Sequence, residues 1–172
     1  MGFSPFYRST AKTARCLVIA ILFFGASNTA PSFAQDFDKG YEAALAEDFD
    51  TALKELRPLA EAGHAAAQYV LGFIYRNGKT VAADPVEAAR WYRRAAEQGH
   101  MEAQYTLGFL YSRGDGVPED WIEAASWFQR AAKQGHITAQ FSLGYIYRFG
   151  QNGVPEDGTE AVKWYRLAAE QG

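Results

Sequence analysis

The sequence predicts an all-α fold, an α/α superhelical solenoid of stacked antiparallel helix pairs, and three observations carry that prediction. A segment recurs at a fixed interval, its apolar residues fall at helical spacing, and the residues flanking each copy are those that start and stop helices. The recurrence is direct. His64-Ala-Ala-Ala-Gln-Tyr-Val-Leu-Gly-Phe-Ile-Tyr75 is followed by His100-Met-Glu-Ala-Gln-Tyr-Thr-Leu-Gly-Phe-Leu-Tyr111 and His136-Ile-Thr-Ala-Gln-Phe-Ser-Leu-Gly-Tyr-Ile-Tyr147, each starting 36 positions after the last. A fixed period of this length marks a stack of supersecondary units, each burying the side of its neighbour.

Residues 1–34 read as a cleavable secretory leader. Arg8, Lys12 and Arg15 form its basic stretch, Leu17 to Ala26 its apolar run, and Ser32-Phe33-Ala34 a small-x-small cleavage site. The apolar run is about half the roughly 20 residues that a membrane-spanning helix needs. Cleavage after Ala34 is therefore expected in preference to a retained anchor, leaving a periplasmic or secreted product with no stable membrane span. Cys16, the only cysteine, lies in the leader, so residues 35–172 can form no internal disulfide and must be stabilised by packing alone.

Residues 36–63 read as a shortened N-terminal unit, and residues 64–99, 100–135 and 136–172 as three full ones. In the first full unit, Ala67, Leu71 and Tyr75 (i, i+4, i+8) form one apolar stripe, and Ala88, Trp91, Tyr92, Ala95 and Ala96 form another. Asp84, Asp120 and Asp157 stand at N-cap positions of the second helices, with Pro85 at a first helical position. Gly99, Gly135 and Gly172 stand where a left-handed residue ends the second helix. Gly78, Gly114 and Gly150 mark the turn between the two helices. The last copy slips by one residue because Gln151-Asn152-Gly153 takes the place of Asp115-Gly116. Asp48, Ala52 and Ala60 lie 36 positions before Asp84, Ala88 and Ala96, so the shortened unit keeps its second helix and lacks the turn loop. Gly72, Gly108 and Gly144 fall inside first helices, where glycine costs about 1 kcal/mol relative to alanine. Close approach of the partner helix is the compensation expected.

Composition narrows the function. The chain has 172 residues, 48% hydrophobic and 22% charged, with a formal net charge of −3. All 20 acidic residues follow the leader, which holds 3 of the 17 basic ones; the remainder sets 14 bases against 20 acids, a net of −6. That balance argues against a nucleic-acid binder, which needs a clustered positive surface.

The recurring Ala-Gln-x-x-Leu-Gly-x-x-Tyr (Ala103 to Tyr111), Gly-x-Gly-Val-Pro-x-Asp (Gly114 to Asp120) and Ala-x-x-Trp-Tyr-x-x-Ala-Ala (Ala88 to Ala96) resemble the Sel1-like repeat family, relatives of the tetratricopeptide repeat. The resemblance runs from about Asp36 to Gly172. Thr80 and Ala82 depart from it, replacing the loop glycine and proline, and the shortened unit lacks the aromatic pair. It implies a helical solenoid acting as a non-catalytic adaptor. Similar exported proteins serve in envelope assembly, polysaccharide secretion, sensor regulation and host contact. Some cysteine-rich members are associated with β-lactam binding or hydrolysis, so an envelope enzyme acting on β-lactams or peptidoglycan is the alternative.

Residues that could imitate catalytic or ligand sites have simpler explanations. Gly78-Lys79-Thr80 ends like a phosphate-binding loop, but five residues, not four, separate Gly72 from Gly78, and a helix precedes the turn. His64, His100 and His136 sit one repeat apart, too far to converge on one metal ion, and suit polar residues opening a helix. Ser9-Thr-Ala-Lys12 matches an acylation motif but leaves with the leader; Ser112, Ser126 and Ser142 have no lysine at that spacing. Glu119-Asp120 and Glu156-Asp157 recur at helix starts, where capping explains them. No catalytic, cofactor or metal residue is assigned, and Trp121 has no packing role shared by the repeats.

The expected site is a partner-binding groove along the first helices: Tyr69, Phe73 and Arg76, then Tyr105, Phe109 and Arg113, then Phe141, Tyr145 and Arg148, with Asn77, Ser112 and Phe149 beside them. Aromatic and arginine side chains dominate protein recognition. The competing reading is that these aromatics pack against neighbouring repeats. The expected partner is an envelope protein or peptide. Without a polar capping helix after the last pair, either that pair meets a second copy or another protein, or the sequence is a fragment; self-association of residues 35–172 is the expectation.

Overall fold

A computed structural model describes residues 32–78 and 81–172. Among the described residues it is all-helical: α1 (Ser32–Leu45), α2 (Phe49–Glu61), α3 (Ala65–Asn77), α4 (Pro85–Glu97), α5 (Met101–Arg113), α6 (Trp121–Lys133), α7 (Ile137–Phe149) and α8 (Gly158–Ala169). Most of the expected leader, residues 1–31, and Lys79-Thr80 of the loop lie outside the described residues. The cleavage point expected after Ala34 falls in the first turn of α1. No helix among the described residues is long and apolar enough to cross a membrane.

Local chemistry sets the helix ends. The carboxylates of Asp48, Asp84, Asp120 and Asp157 accept the backbone N–H groups of Thr51, Glu87, Glu123 and Glu160 at 3.2, 2.9, 3.0 and 3.0 Å, opening the second helices. The first helices of the full units open on histidine. Nδ1 of His64, His100 and His136 accepts from Ala67, Ala103 and Ala139 at 3.2, 3.2 and 3.1 Å. Gly78 and Gly114 close α3 and α5 at φ 62° and 64° in the left-handed region. Gly150 departs from them: at φ 63°, ψ 158° the chain leaves α7 extended, and Gln151 pairs with Val154 in a two-residue bridge that accommodates the extra residue.

Each helix packs on its chain neighbours, and the core runs along the stack in two clusters. Tyr69, Phe73 and Tyr75 touch both. The helix pairs close by one device used four times. An ideal Cβ on Gly72, Gly108 or Gly144 would lie 2.8, 2.8 or 2.6 Å from the ring of Tyr92, Phe128 or Tyr165, so only glycine lets the second helix lie that close. Gly40 does the same against Leu56, whose side chain would stand 2.5 Å from such a Cβ. The shortened unit thus substitutes leucine for the missing aromatic.

Repeats are also joined by a buried polar ladder. Gln68, Gln104 and Gln140 are only 4–5% exposed. Their Nε2 groups donate to the carbonyls of Ala60, Ala96 and Ala132 in the preceding unit at 2.9, 3.0 and 3.1 Å. Their Oε1 atoms accept from Gln98, Gln134 and Gln171, each at 2.7 Å. Each glutamine adds a second donor to a helix-end carbonyl that already accepts the N–H of Gly63, Gly99 or Gly135, and ties three helices together.

Candidate functional site

The first helices carry two aromatic ladders, and both extend into the shortened unit. Because the α1–α2 loop is four residues shorter than the α3–α4 loop, α1 matches α3 at an offset of 32. One ladder is then Phe37, Tyr69, Tyr105 and Phe141; the other is Tyr41, Phe73, Phe109 and Tyr145. Phe37 and Tyr41 are missed by a search at 36; a second search at the loop-corrected offset finds them.

The first ladder is mostly consumed in joining repeats. Phe37 stacks on His64 (4.7 Å between centroids), Tyr69 on His100 (4.9 Å) and Tyr105 on His136 (4.4 Å). Tyr69 and Tyr105 also tilt onto Tyr92 and Phe128 of their own units. Burial pushes the Tyr69 phenol up to about 12, with the charge of Glu102 adding to it. Phe141 meets the edge of Tyr165 at 5.2 Å and remains 58% exposed.

The second ladder is half-buried at Tyr41, Phe73 and Phe109 and open at Tyr145. Phe73 is half-buried with its edge toward Phe49, 6.3 Å away. Phe109 is half-buried beneath two guanidinium groups, Arg76 at 5.5 Å and Arg113 at 5.2 Å from its centroid. Arg76 reaches across the repeat boundary to Asp115, at 3.1 Å through Nη2. Tyr145 is 47% exposed and leans on Phe149, 53% exposed, which carries Arg148 at 5.3 Å. Asn77 and Ser112 turn back onto their own helices, bonding the carbonyls of Phe73 and Phe109.

Electrostatics separate the helices by type. The first helices of the full units contain Arg76, Arg113 and Arg148, each in a last turn, and a single carboxylate, Glu102. A hydrogen bond from His136, at 3.4 Å, holds Glu102 below the usual carboxylate range. With Nδ1 accepting the Ala139 N–H, His136 must carry its proton on Nε2, the atom that faces Glu102. On the second helices, Arg94, Arg130 and Lys163 instead lie over the buried indoles of Trp91, Trp127 and Trp164.

The look-alike motifs resolve into structure. The three histidines are helix caps, and among the described residues no His, Cys, Asp and Glu cluster could hold a metal ion. Asp120 and Asp157 cap α6 and α8, while Glu119 accepts from the Trp121 indole at 3.0 Å. That bond and partial burial against the core give Trp121 the packing role that its sequence position concealed.

A family model described as Sel1 repeat matches residues 65–100, 102–136 and 137–172. A solved Sel1 repeat protein from Oxalobacter formigenes is 42% identical over 70% of this chain and 90% of its own, with a TM-score of 0.63. Cysteine-rich protein B of Helicobacter pylori shares the fold at 22% identity, covering 67% of this chain and 97% of that one, with a TM-score of 0.53. No curated protein matches the chain.

Proposed function

The chain belongs to the Sel1 repeat family, whose members generally mediate protein–protein interaction, and from that premise we propose that it is an exported, non-catalytic adaptor that holds a protein or peptide of the cell envelope along its first helices. The N-terminal leader supports export. The single observation that carries the binding site is the open aromatic row at the end of the groove, where Tyr145 and Phe149 are about half exposed beside an arginine. Large rings left uncovered next to guanidinium groups are the side chains that contribute most when a protein surface is desolvated by a partner. Tyr69 and Tyr105 frame the groove and hold its shape. Phe109, Arg113, Tyr145 and Arg148 make the contacts.

Cross-linking in the envelope followed by mass spectrometry tests this reading. A specific partner recovered with the wild type and lost with Tyr145→Ala/Phe149→Ala, at unchanged helical circular dichroism, is the expected result. Equal recovery would place the interaction elsewhere. The last helix pair supports a second contact, because Ile137, Phe141, Val162 and Leu167 are exposed on it. Gel filtration is expected to show self-association, and a monomer that binds no hydrophobic dye would overturn that part.

A further inference from the structure

Resting on the groove reading above, we propose that the groove selects an acidic segment of its protein partner, with carboxylates meeting Arg113 and Arg148 and apolar side chains lying on Phe109, Tyr145 and Phe149. The chain after the leader is acidic overall, yet the first helices of the full units carry three arginines against one carboxylate. That carboxylate, Glu102, lies in the first turn of α5 and is engaged by His136, whereas the arginines stand in last turns.

The arginines are unequally satisfied. Arg76 already has Asp115, at 3.1 Å. Among the described residues, Arg113 and Arg148 have no carboxylate within ion-pairing distance; each only leans against a ring, Phe109 or Phe149. Favourable interaction with the helix dipole accounts for cations at these ends, but not for their lack of an ion-pair partner while Glu119 and Glu156 lie beside Gly114 and Gly150. Arg94 and Arg130 on the second helices are also last-turn cations without acids, and each rests on an indole that is itself buried. The groove arginines instead border rings that are half-buried or open. A guanidinium beside an aromatic face keeps its fork of donors free for a carboxylate, and the neighbouring rings supply apolar contact that a free anion could not use. The fit is therefore to a peptide alternating acidic and apolar residues.

Fluorescence anisotropy on the purified protein tests this with three labelled peptides of equal length and identical Phe and Leu spacing, carrying Glu, Ser or Lys at every fourth position. The Glu peptide is expected to bind about fivefold tighter than the Ser peptide, as two partly exposed ion pairs would give, with the Lys peptide weakest. Arg113→Gln/Arg148→Gln should erase the Glu preference, so that the Glu and Ser peptides bind that variant equally. Tyr145→Ala/Phe149→Ala should weaken both. Equal binding of Glu and Lys peptides, or a Glu preference that survives the arginine changes, would overturn the acidic partner while leaving an aromatic groove standing. If no peptide responds to Tyr145→Ala/Phe149→Ala, the groove reading itself fails. Tighter binding of a short oligothymidylate than of the Glu peptide would overturn the proposal in favour of a phosphate site.

Discussion

Tyr105 and Phe141 occupy the same place in consecutive units and meet different fates. Tyr105 lies between Phe128 of its own unit and the His136 ring of the next, whereas Phe141 touches Tyr165 on one side and solvent on the other. In a solenoid, a residue's role depends on what stacks upon it as much as on its position in the repeat. The same aromatic is an internal joint at one rung and open surface at the next.

The largest effect should come from breaking that pair apart. Tyr105→Ala removes a ring packed on two sides and is expected to cost about 2–3 kcal/mol of stability. Phe141→Ala, at an open rung, should cost under about 1 kcal/mol. Urea denaturation of the two variants checks this, and equal losses would mean that the last unit is covered as fully as the middle one.

A smaller loss is expected at the polar ladder. Gln104→Leu keeps the volume but removes two hydrogen bonds, to the Ala96 carbonyl, which keeps the Gly99 N–H, and from the Gln134 amide, which keeps the Gly99 carbonyl. Losing hydrogen bonds whose partners stay satisfied costs about 0.5–1.5 kcal/mol. The readout is the denaturation midpoint, with Gln134→Ala as comparison: because Gln134 is exposed, its removal should cost less. If Gln104→Leu proves neutral, the ladder contributes no net stability and apolar packing alone joins the repeats.

Much of this architecture was legible because each unit repeats the same local chemistry. Asp84, Asp120 and Asp157 announce helix starts, and Gly72, Gly108 and Gly144 announce close contact, since a helix tolerates glycine only for a reason. Gln68, Gln104 and Gln140 recur just as faithfully, yet nothing in their spacing says whether the amide faces water or a neighbour's carbonyl. That depends on how units rotate against one another. Gly40, Phe37 and Tyr41 were hidden by the four-residue deletion, which shifts the first helix out of register while leaving the second in it. The proposed groove was legible only as a set of candidates. Which aromatics are joints and which are open depends on coverage by the next unit, and a single-unit pattern cannot contain that.

The subtlest difference between joint and open rung concerns protons. His100 is stacked on Tyr69, accepts the Ala103 N–H at Nδ1 and has Glu102 on its own first turn. Burial pushes its pKa below the ordinary imidazole value, despite the opposing pull of Glu102. The folded chain therefore takes up this proton less readily than the unfolded chain, and protonation would set an N–H at Nδ1 against the donor it now accepts. The contribution is complete above the unfolded imidazole pKa of about 6.5 and declines as pH falls below it. Glu102, held low by His136, acts in a separate window, its contribution being lost only as pH falls below the ordinary carboxylate range. Between pH 7.5 and 5 the loss from His100 should be about 1 kcal/mol or less. His100→Asn keeps a capping oxygen without a titrating ring, so its denaturation midpoint should fall less over that interval than the wild type's. Parallel declines would show that the stacked imidazole does not couple this joint to pH.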